Sequence, residues 1–277
     1  MECGGAVCYN IDVTQNERQD RSYMSILQVN GLKKVYVSRF GTNRVEALRS
    51  VNFEVEEGEY TAIMGESGSG KTTLLNILAS LDRPTAGSVL LDGRDVSKIK
   101  ESELAAFRRD HLGFVFQEFN LLDTFTVEDN IYLPLVLAGR PYAEMKRRLD
   151  PLAAKLGITD ILKKYPYEIS GGQKQRTAAA RALITGPRLL LADEPTGALD
   201  SRSTGELLRL FGEINRDGQT ILMVTHSVKA ASHANRILFI KDGEVFHQIY
   251  RGYSSNEQLY QKISDTLTML ATGGDAR

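Results

Sequence analysis

Residues 65–72 read Gly-Glu-Ser-Gly-Ser-Gly-Lys-Thr, and the predicted fold follows from this pattern. It matches the phosphate-loop pattern G-x-x-x-x-G-K-[ST] at every fixed position. It also lies between an apolar run that predicts a strand and a run that predicts a helix. Its glycines let successive backbone N–H groups converge on phosphate oxygens, and the helix amino terminus adds partial positive charge. We therefore predict a nucleotide-binding P-loop whose binding residues are Gly65, Glu66, Ser67, Gly68, Ser69, Gly70, Lys71, Thr72 and Thr73.

Two side chains of this loop have expected chemical roles. Lys71 can reach the β and γ phosphates of a nucleoside triphosphate, and the Thr72 hydroxyl can ligate magnesium. A glycine-rich turn that binds nothing is the competing interpretation. The strand and helix on either side favour the P-loop strongly.

A second acidic position is expected near the metal, at the end of an adjacent buried strand. The apolar run at 189–192 is followed by Asp193 and Glu194. Asp193 is placed to hold magnesium, and Glu194 could polarise the attacking water. An acidic pair in a solvated turn is the alternative, but Pro195 and the preceding P-loop favour catalysis.

Two more polar residues follow apolar strands. His226 comes after the run at 220–225, and Gln117 comes after the run at 112–116. The carboxyl ends of parallel strands gather at one edge of a sheet. We therefore predict that His226 contacts the γ phosphate and the water held by Glu194, and that Gln117 reaches the metal or the water.

The first part of the chain contains short β-branched runs separated only by turns. They lie at 26–29, 51–55 and 60–64, too close together for intervening helices. This spacing predicts an antiparallel β layer leading into a parallel core. Another strand is predicted at 88–91.

The middle of the chain is mainly helical, and strands return after it. Thr126 and Asp129 can cap a helix, whereas Pro151 is expected to break or kink one. Strands at 189–192 and 221–224 flank a predicted helix at 202–214, an order typical of a parallel sheet. The predicted fold class is α/β: a P-loop NTPase (RecA-like) parallel-sheet core with an antiparallel β layer and a helical subdomain inserted at about 118–185.

The ends of the chain differ from its centre. Residues 1–24 are polar and without sustained periodicity, which predicts a flexible extension before a domain at 25–252. The segment 253–277 predicts an amphipathic helix and tail. Its cap is expected at Ser254 and Glu257, with an apolar stripe that includes Leu259 and Ile263. Packing of this helix on its own domain is favoured over a partner-binding role.

Composition excludes several function classes. The net charge is −1, so no overall field attracts nucleic acid. No apolar run approaches the roughly 20 residues that cross a bilayer, and a secretory signal is missing, so a cytosolic chain is expected. The two cysteines, Cys3 and Cys8, have no metal-ligand spacing.

Residues 170–173, Ser-Gly-Gly-Gln, carry the most information about family. Ser170 and Gln173 predict a capping box, so Gly171 and Gly172 open a helix whose N–H groups can receive an anion. Together with the P-loop, Gln117, the acidic pair and His226, this stretch resembles the ABC ATPase family over about residues 25–252. By this resemblance Gln117 is the Q-loop, residues 170–173 are the signature, and Asp193 with Glu194 is Walker B. His226 is the switch histidine, and residues 198–200 are the D-loop.

The resemblance implies a shared active site. In this family the signature of one subunit closes over ATP held by the P-loop of the other, so Ser170, Gly171, Gly172 and Gln173 would contact nucleotide in a homodimer. It also implies ATP and Mg²⁺ as ligands, with Thr72, Gln117 and Asp193 at the metal. Asp200 of the D-loop joins the nucleotide site. An aromatic residue that stacks on adenine is expected at Tyr36, with Phe40 as the alternative. A buried aromatic at the end of a strand is a competing interpretation of Tyr36.

Further residues indicate which branch of the ABC ATPase family the chain resembles. The stretches at 120–122, 126–130 and 133–135 look like the macrolide-efflux, lipoprotein-releasing and cell-division ATPases, and 241–252 with the final helix resembles the bacitracin-type peptide-resistance transporters. This implies an integral membrane permease of the force-transmitting type. The chain would then lie at the cytoplasmic face of the membrane. The permease is expected to dock on a groove lined by Phe119, Leu121, Leu122 and Phe125. The alternative is that these residues simply pack the helical subdomain.

Other functions remain alternatives. The chain could serve a lipoprotein-releasing, macrolide-efflux or cell-division complex. A soluble ABC protein that acts on ribosomes or DNA is an alternative of another class, disfavoured because the chain has one ATPase half. A non-ABC P-loop enzyme is disfavoured by the signature and the D-loop.

Overall fold

The structure is a computed structural model that describes residues 25–37 and 44–272. The predicted extension at 1–24, the alternative adenine residue Phe40 and the end of the predicted tail lie outside the described residues. The strands are β1 Ser25–Val37, β2 Arg44–Glu56, β3 Tyr60–Met64, β4 Ala86–Leu91, β5 Arg94–Asp95, β6 Leu112–Val115, β7 Leu189–Asp193, β8 Thr220–Val224, β9 Arg236–Lys241 and β10 Glu244–Tyr250. The helices are α1 Lys71–Leu78, α2 Glu101–His111, α3 Val127–Leu137, α4 Tyr142–Leu156, α5 Gly171–Leu183, α6 Ser201–Arg216, α7 Val228–Ala231 and α8 Asn256–Thr272.

A mixed sheet forms the core. Its strand order within the described residues is β10-β9-β3-β8-β7-β6, parallel throughout except for β10 at the edge. Side chains of β3 alternate between two apolar clusters, with Ala62 and Met64 on one face and Ile63 on the other. Burial on both faces is typical of a parallel sheet covered on both sides.

A second sheet, of antiparallel strands in the order β2-β1-β4-β5, covers one face of the core. Its side chains share an apolar cluster with Ile63 of β3 and with α1. The antiparallel layer predicted from sequence is therefore present. Grouping residues 60–64 with it was wrong, because all five are buried and the strand pairs in parallel with β8 and β9.

The helical stretch contains α3, α4 and α5. The predicted cap of α3 is confirmed, since Thr126 and Asp129 form a capping box. The expected break at Pro151 is wrong, because α4 continues through that residue. Four buried side chains of α4 pack on the core and offset the cost of about 3 kcal/mol that an interior proline imposes: Met145, Leu149, Ala153 and Leu156.

The last helix, α8, packs on the core through an apolar stripe. Leu259 and Ile263 are fully buried there, as the amphipathic pattern predicted. The cap lies one residue later than expected: Ser255 and Gln258 hydrogen-bond reciprocally, whereas the Ser254 hydroxyl accepts from Lys262. Across residues 25–37 and 44–272, we find no helix with the length and apolar character needed to span a bilayer.

Candidate active site

The loop at 65–70 connects β3 to α1 in a shape that requires glycine at two positions. A Cβ on Gly65 would lie 2.3 Å from the Ile240 carbonyl oxygen. Gly70 has a φ of 99°, and a Cβ there would lie 2.5 Å from the Ala47 carbonyl oxygen. Strand β9 and strand β2 therefore hold the loop from both sides.

Lys71, the first residue of α1, folds back onto the loop. Its Nζ donates to the carbonyl oxygens of Gly65 and Glu66, both at 2.7 Å. Burial lowers the pKa of Lys71, and the carboxylates of Glu194, Asp193 and Glu66 oppose that shift. The ammonium thus lies within the electrostatic reach of the acidic pair.

The buried hydroxyl of Ser69 is a polar atom that the loop leaves without a partner. The side chain is 7% exposed, and among the described residues its Oγ has no hydrogen bond. A buried hydroxyl without a partner is costly. Within a loop of this shape, it is available to a ligand.

Strand register brings the acidic pair to the end of β3. Asp193 of β7 and Ile63 of β3 both pair with Val224, on the strand between them. Burial, followed by the nearby Glu194 carboxylate, raises the pKa of Asp193, and Lys71 opposes the shift. A partly buried carboxylate at this edge is suited to a cation.

Glu194 is held rigidly just beyond β7. Its Oε2 accepts from the Thr225 hydroxyl at 3.0 Å, and its Oε1 accepts from His226. Its φ of 44° is a left-handed conformation that non-glycine residues rarely adopt. Such strain is typical of functional sites, where the surroundings fix the conformation.

Gln117, the residue after Phe116, lies against the segment that follows Glu194. A Cβ on Gly197 would lie 2.8 Å from Gln117 Nε2 and 3.0 Å from its Cδ. Gly197 itself donates its N–H to the Glu194 carbonyl oxygen at 2.9 Å. Glycine at 197 therefore makes room for the amide beside the acidic pair.

The predicted capping box at the start of α5 is confirmed. Ser170 and Gln173 each accept from the other's backbone N–H, at 3.3 and 2.9 Å. The neighbours that Gly171 and Gly172 meet are Phe119, Ala198, Leu199, Ser203 and Arg176, and none belongs to the loop at 65–72. Gly171 is exposed and Gly172 is buried, and the start of α5 lies against the segment that leads into α6.

Asp200 and Tyr36 occupy different positions around the site. The Asp200 carboxylate caps α6, accepting from the N–H groups of Arg202 and Ser203 and from the Ser203 hydroxyl. The Tyr36 hydroxyl donates to Asp82 at 2.7 Å, with its side chain 42% exposed. Burial and Asp82 raise the pKa of Tyr36, and the side chain of Thr73 on α1 opposes the shift.

Several residues that shape the site were not predicted from the sequence. Gln175 is fully buried and bonds two loops, Arg181 donates to the carbonyl oxygens of Phe119 and Asn120, and Thr225 bonds Glu194. Gln175 and Arg181 lie in no motif. Thr225 could have been found from its place immediately before His226.

An apolar groove borders the segment in which the permease-docking groove is predicted. It runs between α2, β6, α3 and α5, next to Gln117, and none of Phe119, Leu121, Leu122 and Phe125 lines it. Asn130 binds the Leu122 backbone through two hydrogen bonds and folds the 118–126 segment onto the start of α3. The groove is lined by Ala105, Arg109, Leu112, Gly113, Phe114, Phe116, Asn120, Leu133, Pro134, Leu137, Arg181, Ala182 and Thr185.

Comparison with known proteins agrees with this geometry. The ABC transporter family model matches residues 48–197, which include the P-loop, Gln117, the capped start of α5 and the acidic pair. The chain is 49% identical over 253 residues to the ABC transporter ATP-binding protein YxdL of Bacillus subtilis, covering 91% of this chain and 96% of YxdL.

A second relative is the bacitracin export ATP-binding protein BceA of Halalkalibacterium halodurans. It is 47% identical over 248 residues, covering 89% of this chain and 97% of BceA. Among solved structures, the ATP-binding cassette MJ0796, a dimer in a post-hydrolysis state bound to ADP and Pi, aligns with a TM-score of 0.73 and 38% identity. The alignment covers 81% of this chain and 98% of that one. With its family model, its relatives and its fold all in agreement, the chain belongs to the ABC transporter ATP-binding proteins and is an ATPase of that type.

Proposed function

We propose that two copies of this chain close around two ATP molecules and drive a separate integral membrane permease of the force-transmitting type, in resistance to antimicrobial peptides. The single observation that supports a permease partner is the exposed apolar groove next to Gln117. The similarity to a bacitracin export ATP-binding protein supports the peptide class. The chain would then lie at the cytoplasmic face of the membrane, held there by the permease.

Glu194 is the residue best placed to activate water for hydrolysis. Thr225 and His226 fix its carboxylate through three hydrogen bonds, so its orientation is set before the nucleotide arrives. A rigid acceptor one residue beyond Asp193 suits the activation of a water at the γ phosphate. Lys71, at the start of α1, would bind the phosphates.

The donor set fits Mg²⁺, a cation that prefers oxygen ligands. Asp193 is partly buried, and burial together with the Glu194 carboxylate raises its pKa. Thr72, on the first turn of α1, and Gln117, beside Gly197, would complete the protein ligands. When bound, the ion supplies positive charge to the developing phosphate charges.

The start of α5 supports a site shared between two chains. The Ser170 and Gln173 side chains are occupied by their capping box, which leaves the N–H groups of Gly171 and Gly172 as donors. A helix amino terminus with free N–H groups binds anions. We propose that they contact the γ phosphate held by the P-loop of the other copy, with Tyr36 against adenine.

The groove provides a path from the permease to the site. Its apolar walls include Phe114 and Phe116 of the segment that leads directly into Gln117. Leu137 extends the groove at the end of α3 and is 69% exposed. Exposed apolar surface of this kind marks a binding site. A permease helix docked here would move Gln117 and thereby affect hydrolysis.

Co-purification with the permease tests the proposal. Leu137→Asp should release the permease and restore sensitivity to bacitracin, because a charge in the groove opposes apolar contact. Val136→Asp is the matched control, since Val136 is 55% exposed on the same helix but does not line the groove. Retention of the permease by the Leu137 variant, or association of the unaltered chain with ribosomes instead, would contradict the proposal.

A further inference from the structure

We infer that Gln175 is a positioning residue that couples the two ATP sites of the dimer. This inference rests on the shared site proposed above. Gln175 lies on α5, the helix whose start would bind the ATP of the other copy. Its amide bonds the two segments that carry Gln117 and Glu194 of its own copy.

The contacts of Gln175 are specific. The side chain is fully buried, and its Nε2 donates to the Phe116 carbonyl oxygen at 3.1 Å and to the Pro195 carbonyl oxygen at 2.8 Å. Both partners are acceptors, so only the NH₂ group of the amide can face them. The bridge therefore uses both amide hydrogens.

Each carbonyl belongs to a residue adjacent to a site residue. Phe116 precedes Gln117, and Pro195 follows Glu194. The two segments meet again at Gly197, against which the Gln117 amide lies. A shift of Gln175 would consequently move the metal ligand and the water-activating carboxylate together.

Gln175 also follows the start of α5 closely. It is five residues after Ser170, within the first two turns of a helix whose cap is closed by the Ser170 and Gln173 side chains. A short capped helical segment moves as a rigid body. When the phosphate of the other site binds the helix start, Gln175 transmits that movement to the Phe116 and Pro195 carbonyls.

Stability alone does not explain this amide. Gln175 Oε1 is buried and has no hydrogen-bond partner among the described residues. A buried acceptor without a partner destabilises a fold, and such groups in native structures call for another explanation. Both amide hydrogens of Gln175 are bonded while its oxygen is not, as expected of a residue whose role lies in those two contacts.

Two substitutions of Gln175, one that removes both donors and one that shortens the amide, test the coupling in the purified full chain. Gln175→Met keeps the side-chain length and removes both donors, whereas Gln175→Asn keeps an amide that is too short to reach both carbonyls. For Gln175→Met we expect roughly a tenfold loss of kcat, and a Hill coefficient for ATP hydrolysis that falls from about 2 toward about 1. Nucleotide affinity should stay within about twofold of that of the unaltered chain. Gln175→Asn should give intermediate values.

Gln219→Met is the matched control. The Gln219 Nε2 also donates to two carbonyl oxygens, those of Pro187 and Thr220, but at the opposite end of the sheet. It should leave the Hill coefficient unchanged. If the Met and Asn variants at 175 keep the Hill coefficient of the unaltered chain, or lose only as much kcat as Gln219→Met does, the coupling role is overturned. A hyperbolic ATP dependence in the unaltered chain would instead overturn the shared site, and the coupling with it.

Discussion

The Glu194 carboxylate accepts two hydrogen bonds from His226, one from its backbone N–H at 2.9 Å and one from its ring Nδ1 at 2.8 Å. Because a carboxylate oxygen is an acceptor, the ring must carry its hydrogen on Nδ1, which leaves Nε2 directed away from Glu194. The His226 side chain is 74% exposed, whereas that of Glu194 is 15% exposed. The histidine therefore orients the buried carboxylate while presenting its second nitrogen outward.

Replacement of Glu194 by glutamine should separate ATP binding from hydrolysis. The amide keeps the shape of the side chain but cannot act as a base, so we expect hydrolysis to fall by roughly 10²- to 10⁴-fold with ATP still bound. ATP should then hold two chains together. Size-exclusion chromatography with and without ATP measures this. A variant that remains monomeric with ATP would contradict the shared site, and one that still hydrolyses ATP rapidly would contradict the role of Glu194.

His226→Ala should also slow hydrolysis, but by a smaller factor than the Glu194 substitution. The carboxylate keeps its bonds to the Thr225 hydroxyl and to the backbone at 226, and it loses only the imidazole. We expect a loss on the order of 10²-fold in kcat with nucleotide affinity preserved. His247→Ala, at an exposed histidine of β10, is the control. Equal rates for the two variants would exclude His226 from the site.

Gly197→Ala tests the contact between Gln117 and the segment after Glu194. The added methyl would lie 2.8 Å from Gln117 Nε2, so the amide must move. We expect kcat to fall roughly tenfold and the Mg²⁺ concentration needed for half-maximal hydrolysis to rise. Gly205→Ala, in α6, meets nothing within 4 Å and should stabilise the fold by about 1 kcal/mol. Normal Mg²⁺ dependence in the Gly197 variant would place Gln117 away from the metal.

Asp193→Asn should stabilise the protein near neutral pH while impairing hydrolysis. Burial, with the repulsion from Glu194, raises the pKa of Asp193 above its ordinary value of 3.8. The folded state therefore binds this proton more tightly than the unfolded state, and stability is lost as pH rises through the folded pKa. At pH 7 the variant should need a higher denaturant concentration to unfold by half than the unaltered chain does. This difference should shrink toward pH 4.

An exposed aspartate serves as the control for that pH series. Asp160→Asn removes one carboxylate from the surface of the helical region and should leave the denaturant midpoint at pH 7 nearly unchanged. If both variants shift the midpoint equally, the effect reflects overall charge rather than the burial of Asp193.

The parts of the fold that are encoded by contiguous residues could be predicted. The P-loop, the capping boxes at 126–129 and 170–173, and the buried strands each depend on a pattern within one element. The strand at 60–64 was grouped with the wrong sheet because short spacing indicates a turn but does not identify the partner strand. Pro151 was predicted to interrupt α4, because helix propensity omits the packing that offsets it.

Side chains that bridge distant segments could not be predicted. Gln175 joins residues 59 and 20 positions away, and nothing in its local sequence distinguishes it from a surface glutamine. The path of the segment at 118–126 could not be predicted for a related reason. Asn130 and Arg181 fold the segment at 118–126 through hydrogen bonds to its backbone, which no side-chain pattern in that segment reveals.

The position of Lys71 has a consequence for the conformational entropy of nucleotide binding. Its Nζ donates to the carbonyl oxygens of Gly65 and Glu66, so the side chain ties the first turn of α1 to the loop that precedes it. A site whose backbone is held by the chain itself loses little conformational entropy when it binds a ligand. The loop should therefore bind nucleotide with little ordering of its backbone.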